Sequence, residues 1–173
     1  MTEMSGKVIL ETGRLQLAEA VRSDAPFVLD LLTQPSFLEF IGDRGVHDLE
    51  SAHDYIRDLQ LQYRMNGYGS YIVRLKEEGT PIGISGLIKR DGLEHADIGF
   101  AYLPTYWRCG YALEGAKALM DYGRDTLGLD PIVAITSPQN VPSQSLLERL
   151  GMVFYKRIRL TETSDETLLY GPQ

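Results

Sequence analysis

The sequence predicts an α+β (α/β mixed) domain in which a mixed sheet of about seven strands carries packed helices. Three observations carry that expectation. Apolar residues recur at helical spacing over the first third of the chain; the period changes to strand-like runs between Tyr68 and Leu103; helix-like and strand-like segments then alternate from Ala112 onward. A length of 173 residues with 43% apolar content suffices for one sizeable core, so residues 1–173 are expected to form a single domain. No repeat, low-complexity tract or linker divides them.

Residues 14–20 set Leu15 and Leu17 among polar neighbours, the pattern of a half-buried strand. Ser23 or Asp24 is placed to cap a helix with Pro26 in its first turn and Phe27, Val28, Leu31 and Leu32 on one face; Pro35 is expected to end it. Asp48 caps a second helix, in which Ala52, Tyr55, Ile56, Leu59 and Tyr63 recur until Asn66 and Gly67. Residues 68–75, 82–88 and 93–103 read as strands, and Glu78-Gly79 and Asp91-Gly92 between them are hairpin turn pairs. A helix over about 112–127, closed by Gly128, leads to a strand at 132–136. A last helix over about 143–150 ends at Gly151, and 152–160 and 167–170 are the final strands. An early hairpin region thus meets a later crossover, and such a change of strand direction is where α/β folds commonly place ligands.

Composition excludes several functions. Seventeen basic against 24 acidic residues give a formal charge of -7, which repels phosphate backbones and anionic lipid, so no nucleic-acid or membrane partner is expected. A local anion site remains open, because oriented backbone amides hold phosphate without net positive charge. The single cysteine, Cys109, forms no intrachain disulfide and fits a reducing cytoplasm. His47, His53 and His95 lack ligand spacing, so no metal is expected. The opening Met-Thr-Glu-Met-Ser-Gly-Lys has no secretion pattern, and no apolar run approaches the ~20 residues of a membrane helix. A cytoplasmic location follows.

The most informative stretch runs from Leu103 to Glu114, joining a strand end to a helix start. Gly110 lets the backbone turn tightly, and the small Ala112 leaves the first helical turn uncovered. Amides near residues 108–113 then point outward together and, with the helix dipole, make a pyrophosphate site. Ordinary strand-to-helix turns use the same residues. No Gly-Lys-Ser/Thr loop and no Gly-x-Gly-x-x-Gly is present, which disfavours an ATPase or a dinucleotide enzyme.

Tyr106-Trp107-Arg108-Cys109-Gly110-Tyr111-Ala112-Leu113-Glu114 resembles the Tyr-Trp-Gly-Lys-Gly-Tyr-Ala-Thr-Glu signature of RimJ/RimL-like acetyltransferases, a branch of the Gcn5-related N-acetyltransferase (GNAT) superfamily. Further matches follow in family order: residues 10–15 (Leu-Glu-Thr-Gly-Arg-Leu), 81–87 (Pro-Ile-Gly-Ile-Ser-Gly-Leu), 96–100 (Ala-Asp-Ile-Gly-Phe) and 140–152, which is similar to Asn-x-x-Ser-x-x-x-Leu-Glu-Lys-Leu-Gly-Phe. Cys109 departs from the family's usual Lys, Arg or Gln, and Trp107 from the wider superfamily's Arg or Gln. The resemblance implies a GNAT-type twisted sheet with helices on both faces and a V-shaped splay between the fourth and fifth strands, holding acetyl-CoA as cosubstrate.

It further implies an N-acetyltransferase that moves acetyl to a primary amine, of a protein N-terminus or a small molecule, by direct attack in a ternary complex. Gly99, Phe100, Ala101, Tyr102 and Leu103 would pair with the pantetheine arm; Trp107, Arg108, Cys109, Gly110, Tyr111, Ala112 and Leu113 would hold the diphosphate; Asn140 would hold the pantetheine chain. Ser143 matches the family serine that reaches the sulfur, donating a hydrogen bond to a thiolate of pKa about 8.5 by analogy with Cys. Asn140 and Ser143 are also ordinary helix-capping residues. Direct transfer needs no nucleophile, so Cys109 is not expected to be one. Asp97 is the first candidate for general base, acting through a water, and Glu39 in the acceptor-side segment 36–42 the second; a plain surface role is open for both. Phe37, Phe40, Tyr55 and Tyr63 are candidates to line the acceptor side, although the helical spacing of the two tyrosines is more often that of core than of pocket residues. A non-catalytic acyl-CoA-binding module and a phosphosugar or nucleotide enzyme stand as alternatives, and the chain as a monomer or homodimer.

Overall fold

The computed structural model describes residues 6–173. Met1 to Ser5, most of the opening read above for a secretion pattern, lie outside the described residues. Five strands form one antiparallel sheet in sequence order: β1 (Val8–Glu11), β2 (Leu15–Ala18), β3 (Ser70–Leu75), β4 (Pro81–Ile88) and β5 (Asp97–Tyr102). β6 (Ala134–Thr136), β7 (Met152–Ile158) and β8 (Thr167–Pro172) form a second antiparallel sheet with β8 central. The sheets meet at one parallel bridge, Asp97 to Val133, where Ile98 N–H donates to Val133 C=O at 2.9 Å and Val133 N–H to Ala96 C=O at 3.0 Å.

Eight strands are thus present among the described residues, the addition being β1, which pairs with β2 across the Thr12–Gly13–Arg14 turn. Glu78-Gly79 and Asp91-Gly92 do separate the strands of the meander, with both glycines at positive φ.

The described residues also form five α-helices: α1 (Ala25–Leu32), α2 (Pro35–Phe40), α3 (Leu49–Asn66), α4 (Tyr111–Asp125) and α5 (Val141–Arg149). Pro35 does not simply end a helix; it stands at the first position of α2, where its fixed φ and missing N–H cost nothing. Asp24 holds the cap position of α1 without capping it. Its carboxylate instead accepts from Val21 N–H and pairs with the buried Arg74 guanidinium. Asp48 caps α3 as expected, its Oδ1 accepting from Ser51 N–H at 2.8 Å. The last helix starts two residues earlier than expected, because Asn140 rather than a later residue is its cap.

Helices cover both sheet faces, which is why β3 is buried along its length. Its odd-numbered Tyr71 and Val73 join Leu15, Leu119 and Leu147 on the α4 and α5 side; its even-numbered Ile72 joins Val28, Leu31 and Ile56 on the α1–α3 side. Truncating one such fully buried Leu to Ala costs about 2–5 kcal/mol. Gly123 lets α4 lie close to the sheet, since an added Cβ would stand 2.8 Å from Leu87 Cδ1 and 2.9 Å from Ile132 Cδ1. No helix among the described residues is long and apolar enough to cross a membrane.

Candidate active site

Past the single bridge that joins the two sheets, an open cleft of about 1030 Å³ lies between α2 and α3 on one side and the β6–α5 loop with the β7–β8 pair on the other. It brings together Glu39, Asp97, Gly99, Phe100, Ala101, Asn140 and Ser143 from the residues picked in the sequence. Tyr102, the last residue of β5, and Leu103 and residues 107–113, which follow the strand, lie outside its lining.

The register of β5 sorts its residues. Leu103 N–H donates to Ile82 C=O at 3.0 Å, on the β4 side, whereas Ile98 N–H donates to Val133 C=O, on the β6 side. Pairing with β4 runs from Asp97 to Tyr102 without a bulge, so backbone groups alternate strictly. Gly99, Ala101 and Leu103 therefore spend their backbone on β4. Phe100 and Tyr102 turn theirs toward β6, yet beyond Val133 no ladder joins β5 to β6 among the described residues. The Tyr102 carbonyl is taken by Trp107 Nε1 at 2.8 Å. What remains open is the Phe100 N–H and C=O and the Tyr102 N–H.

Side chains alternate the opposite way. Ile98, Phe100 and Tyr102 pack toward α4, and Ala101 and Leu103 toward α1–α3, which puts Asp97 and Gly99 on the cleft face. Asp97 is only 1% exposed. Its Oδ1 accepts from Arg90 Nε at 2.9 Å and its Oδ2 is buried without a partner. Burial pushes the carboxyl up to about 6, against the pull of Arg90 first and of Arg44 after it. A carboxylate so poised accepts a proton near neutrality. Glu39, the second candidate, is exposed on α2 at the cleft wall.

Across the cleft, the Asn140 side chain accepts from Ser143 N–H at 3.2 Å and so caps α5, leaving its amide donors unspent. Ser143 is half-buried and belongs to the cleft lining. Phe37, Phe40 and Tyr55 line the α2–α3 side of the cleft, whereas Tyr63 does not: it stacks on Tyr71 at 5.5 Å, donates to Ser70 C=O and accepts from Ala20 N–H at 3.1 Å.

Beyond β5 the chain passes a short turn at Pro104–Tyr106 and enters α4 through Arg108 at φ 62° and Gly110 at φ 85°. Arg108 is the one non-glycine at positive φ among the described residues, a conformation costing about 1–2 kcal/mol. α4 has no side-chain cap, and its first internal bond is Glu114 N–H to Gly110 C=O at 3.0 Å. The N–H groups of residues 108–113 meet no acceptor among the described residues. Six amides at a helix N-terminus thus remain available to an anion. Tyr102 itself points away, its hydroxyl buried against Gly115 without a partner.

Sequence reasoning missed Arg90 and Arg44 beside Asp97, and Asp58 in the cleft wall. Arg90 belongs to a stretch that reads as hairpin turn, and nothing in local spacing ties it to position 97.

Residues 14–153 match the acetyltransferase (GNAT) domain family. An acetyltransferase structure from Agrobacterium tumefaciens C58 is 31% identical, with a TM-score of 0.77 covering 95% of this chain and 93% of that one. Two structures at 14% identity share the fold. RimL, the ribosomal L7/L12 α-N-protein acetyltransferase, has a TM-score of 0.80 over 95% of this chain and 93% of its own. The microcin C7 self-immunity acetyltransferase MccE, solved with acetyl-CoA and AMP, has a TM-score of 0.79 over 92% of each chain.

Proposed function

The chain belongs to the GNAT family of acyl-CoA-dependent N-acetyltransferases, and from that premise we propose that it moves acetyl from acetyl-CoA to a primary amine by direct attack in a ternary complex. One observation carries the reading: an unpaired stretch of β5 edge, between the poised carboxylate of Asp97 and the loop whose free amides open α4. The residues fit the cosubstrate. The amides of residues 108–113 suit a diphosphate, and the open groups of Phe100 and Tyr102 suit the amides of a pantetheine arm running as an added strand between β5 and β6.

Acetyl-CoA supplies an activated acyl carbon, whose bond to sulfur breaks as the bond to the amine nitrogen forms. Asp97 Oδ2 receives the proton that the ammonium must lose before attack, directly or through one water. Ser143 Oγ–H donates to the departing sulfur, and the Asn140 amide holds the chain that precedes it. Arg90 keeps Asp97 ionisable near neutrality despite its burial.

The acceptor end supports a cationic amine. Asp97 and Glu166 are paired with Arg90 and Arg157, whereas Glu39, Asp58 and Asp165 face the cleft without an ion pair among the described residues, against Arg44 alone. The test is thiol release from acetyl-CoA with a panel of polyamines, N-terminal peptides and free amino acids. Acceptor-dependent release with at least one cationic amine is expected; no release with any acceptor, despite bound acetyl-CoA, would refute a catalytic role.

A further inference from the structure

The Thr12–Gly13–Arg14 turn between β1 and β2, about a hundred residues away in sequence, closes over the start of α4. Glu114, in the first turn of that helix, is held from both sides. Its Oε2 accepts from Thr12 Oγ1 and from Arg14 N–H at 3.0 Å, and its Oε1 from Arg14 Nε at 2.8 Å. The same guanidinium reaches on: Nη1 donates to the Cys109 carbonyl at 3.1 Å, and the group lies 4.3 Å from the centre of the Tyr111 ring. Nη2 lies against Gly110, 3.2 Å from where a Cβ there would be. One side chain therefore touches residues 109, 110, 111 and 114.

We infer that Arg14 is a positioning residue for the cosubstrate's diphosphate, with Glu114 and Thr12 as its anchors. Two effects follow from the contacts. Fastening the Cys109 carbonyl and the Tyr111 ring fixes the turn at Gly110, so that the amides of residues 108–113 converge without rearrangement when an anion arrives. Arg14 also neutralises a carboxylate that stands within one helical turn of those amides and would otherwise repel the diphosphate. Burial pushes the Glu114 carboxyl up, but hydrogen bonds from Thr12 and Arg14 outweigh it and hold it below the ordinary value, so it is charged at neutral pH. Removing Arg14 unfastens the turn and uncovers that charge in one step.

The inference rests on the acetyl-CoA reading above, and the test separates the two. Calorimetry measures acetyl-CoA binding to the wild type, Arg14→Ala, Arg14→Lys and the double variant Arg14→Ala with Glu114→Gln; steady-state kinetics compare acetyl-CoA with S-acetylpantetheine, which lacks the diphosphate. Arg14→Ala is expected to weaken acetyl-CoA about tenfold, the equivalent of one charge-assisted hydrogen bond, raising KM with kcat unchanged and leaving S-acetylpantetheine turnover unaltered. Arg14→Lys recovers only part of the loss, since a single ammonium cannot span Glu114 and the Cys109 carbonyl together. Adding Glu114→Gln to Arg14→Ala recovers a further part by removing the uncovered charge. Wild-type affinity in both Arg14 variants, or an equal loss with S-acetylpantetheine, overturns the inference while the proposed function stands. Arg14→Lys, which keeps the charge, carries the test should Arg14→Ala fail to fold. A wild type that binds no acetyl-CoA overturns both.

Discussion

Arg90 Nε donates a 2.9 Å hydrogen bond to Asp97 Oδ1 at the cleft wall, and the carboxylate's other oxygen is buried with no partner. The pair is lopsided: burial raises the carboxyl to about 6 and the guanidinium keeps it from rising further. Because the folded value lies above the ordinary 3.8, this group's contribution to stability is full below 3.8 and is lost as pH rises through about 6. The proton-accepting role proposed for Asp97 has the opposite requirement, since only the ionised form accepts a proton.

Activity should therefore climb with pH through a limb near 6, separate from the limb of the acceptor amine at about 8 for an α-amine or about 10.4 for a lysine. Asp97→Asn is expected to erase the lower limb and reduce kcat/KM by about 100-fold. Arg90→Gln removes the cation that opposes burial, so its lower limb moves above 6. A pH–rate profile of the three proteins checks this; an unchanged lower limb in Asp97→Asn would mean that another group supplies it.

Asn140 and Ser143 separate capping from cosubstrate binding. Asn140→Ala loses the cap of α5, a cost of about 1 kcal/mol, together with the free amide donors. Asn140→Asp keeps the acceptor oxygen, loses the donors and adds a charge that the helix N-terminus favours, so it should melt no lower than the wild type while its KM for acetyl-CoA rises. Ser143→Ala should lower kcat about tenfold, the worth of one hydrogen bond to a charged sulfur, with little change in Tm. Melting curves and KM values for these variants decide between the roles; a normal KM in Asn140→Asp would leave the residue as a cap alone.

Gly110→Ala forces an L side chain into φ 85°, at a cost of about 1 kcal/mol, against the Arg14 guanidinium. Gly128→Ala imposes similar strain at φ 70° in open space just beyond α4. Both should lower Tm by about 2–4 °C. Only Gly110→Ala should weaken acetyl-CoA, which calorimetry of the two variants reads directly.

Several of these features are legible in the sequence itself. Gly110 with an unprotected helix start, Asn66-Gly67 and Gly151 each marked a real boundary, because a left-handed residue is a local demand that sequence states locally. Pro35 misled, since the same fixed φ that stops one helix starts another. β1 went unseen because Val8-Ile9-Leu10 is a short apolar run without alternation. The site's electrostatics were hidden for a different reason. Arg90 to Asp97 and Arg14 to Glu114 are contacts made by packing, and no periodicity encodes a partner seven or a hundred residues away. The choice of Phe100 and Tyr102 over their neighbours on β5 required the register with β4.

In the proposed function, the free amides opening α4 and the bare edge of β5 together grip acetyl-CoA. Titrating a ¹⁵N-labelled protein with acetyl-CoA and following backbone amide resonances tests it residue by residue. The account predicts the largest shifts at residues 108–113, accompanied by Phe100 and Tyr102, with Gly99, Ala101 and Leu103 moving less. Saturable binding that leaves residues 108–113 unmoved while another surface shifts would contradict it.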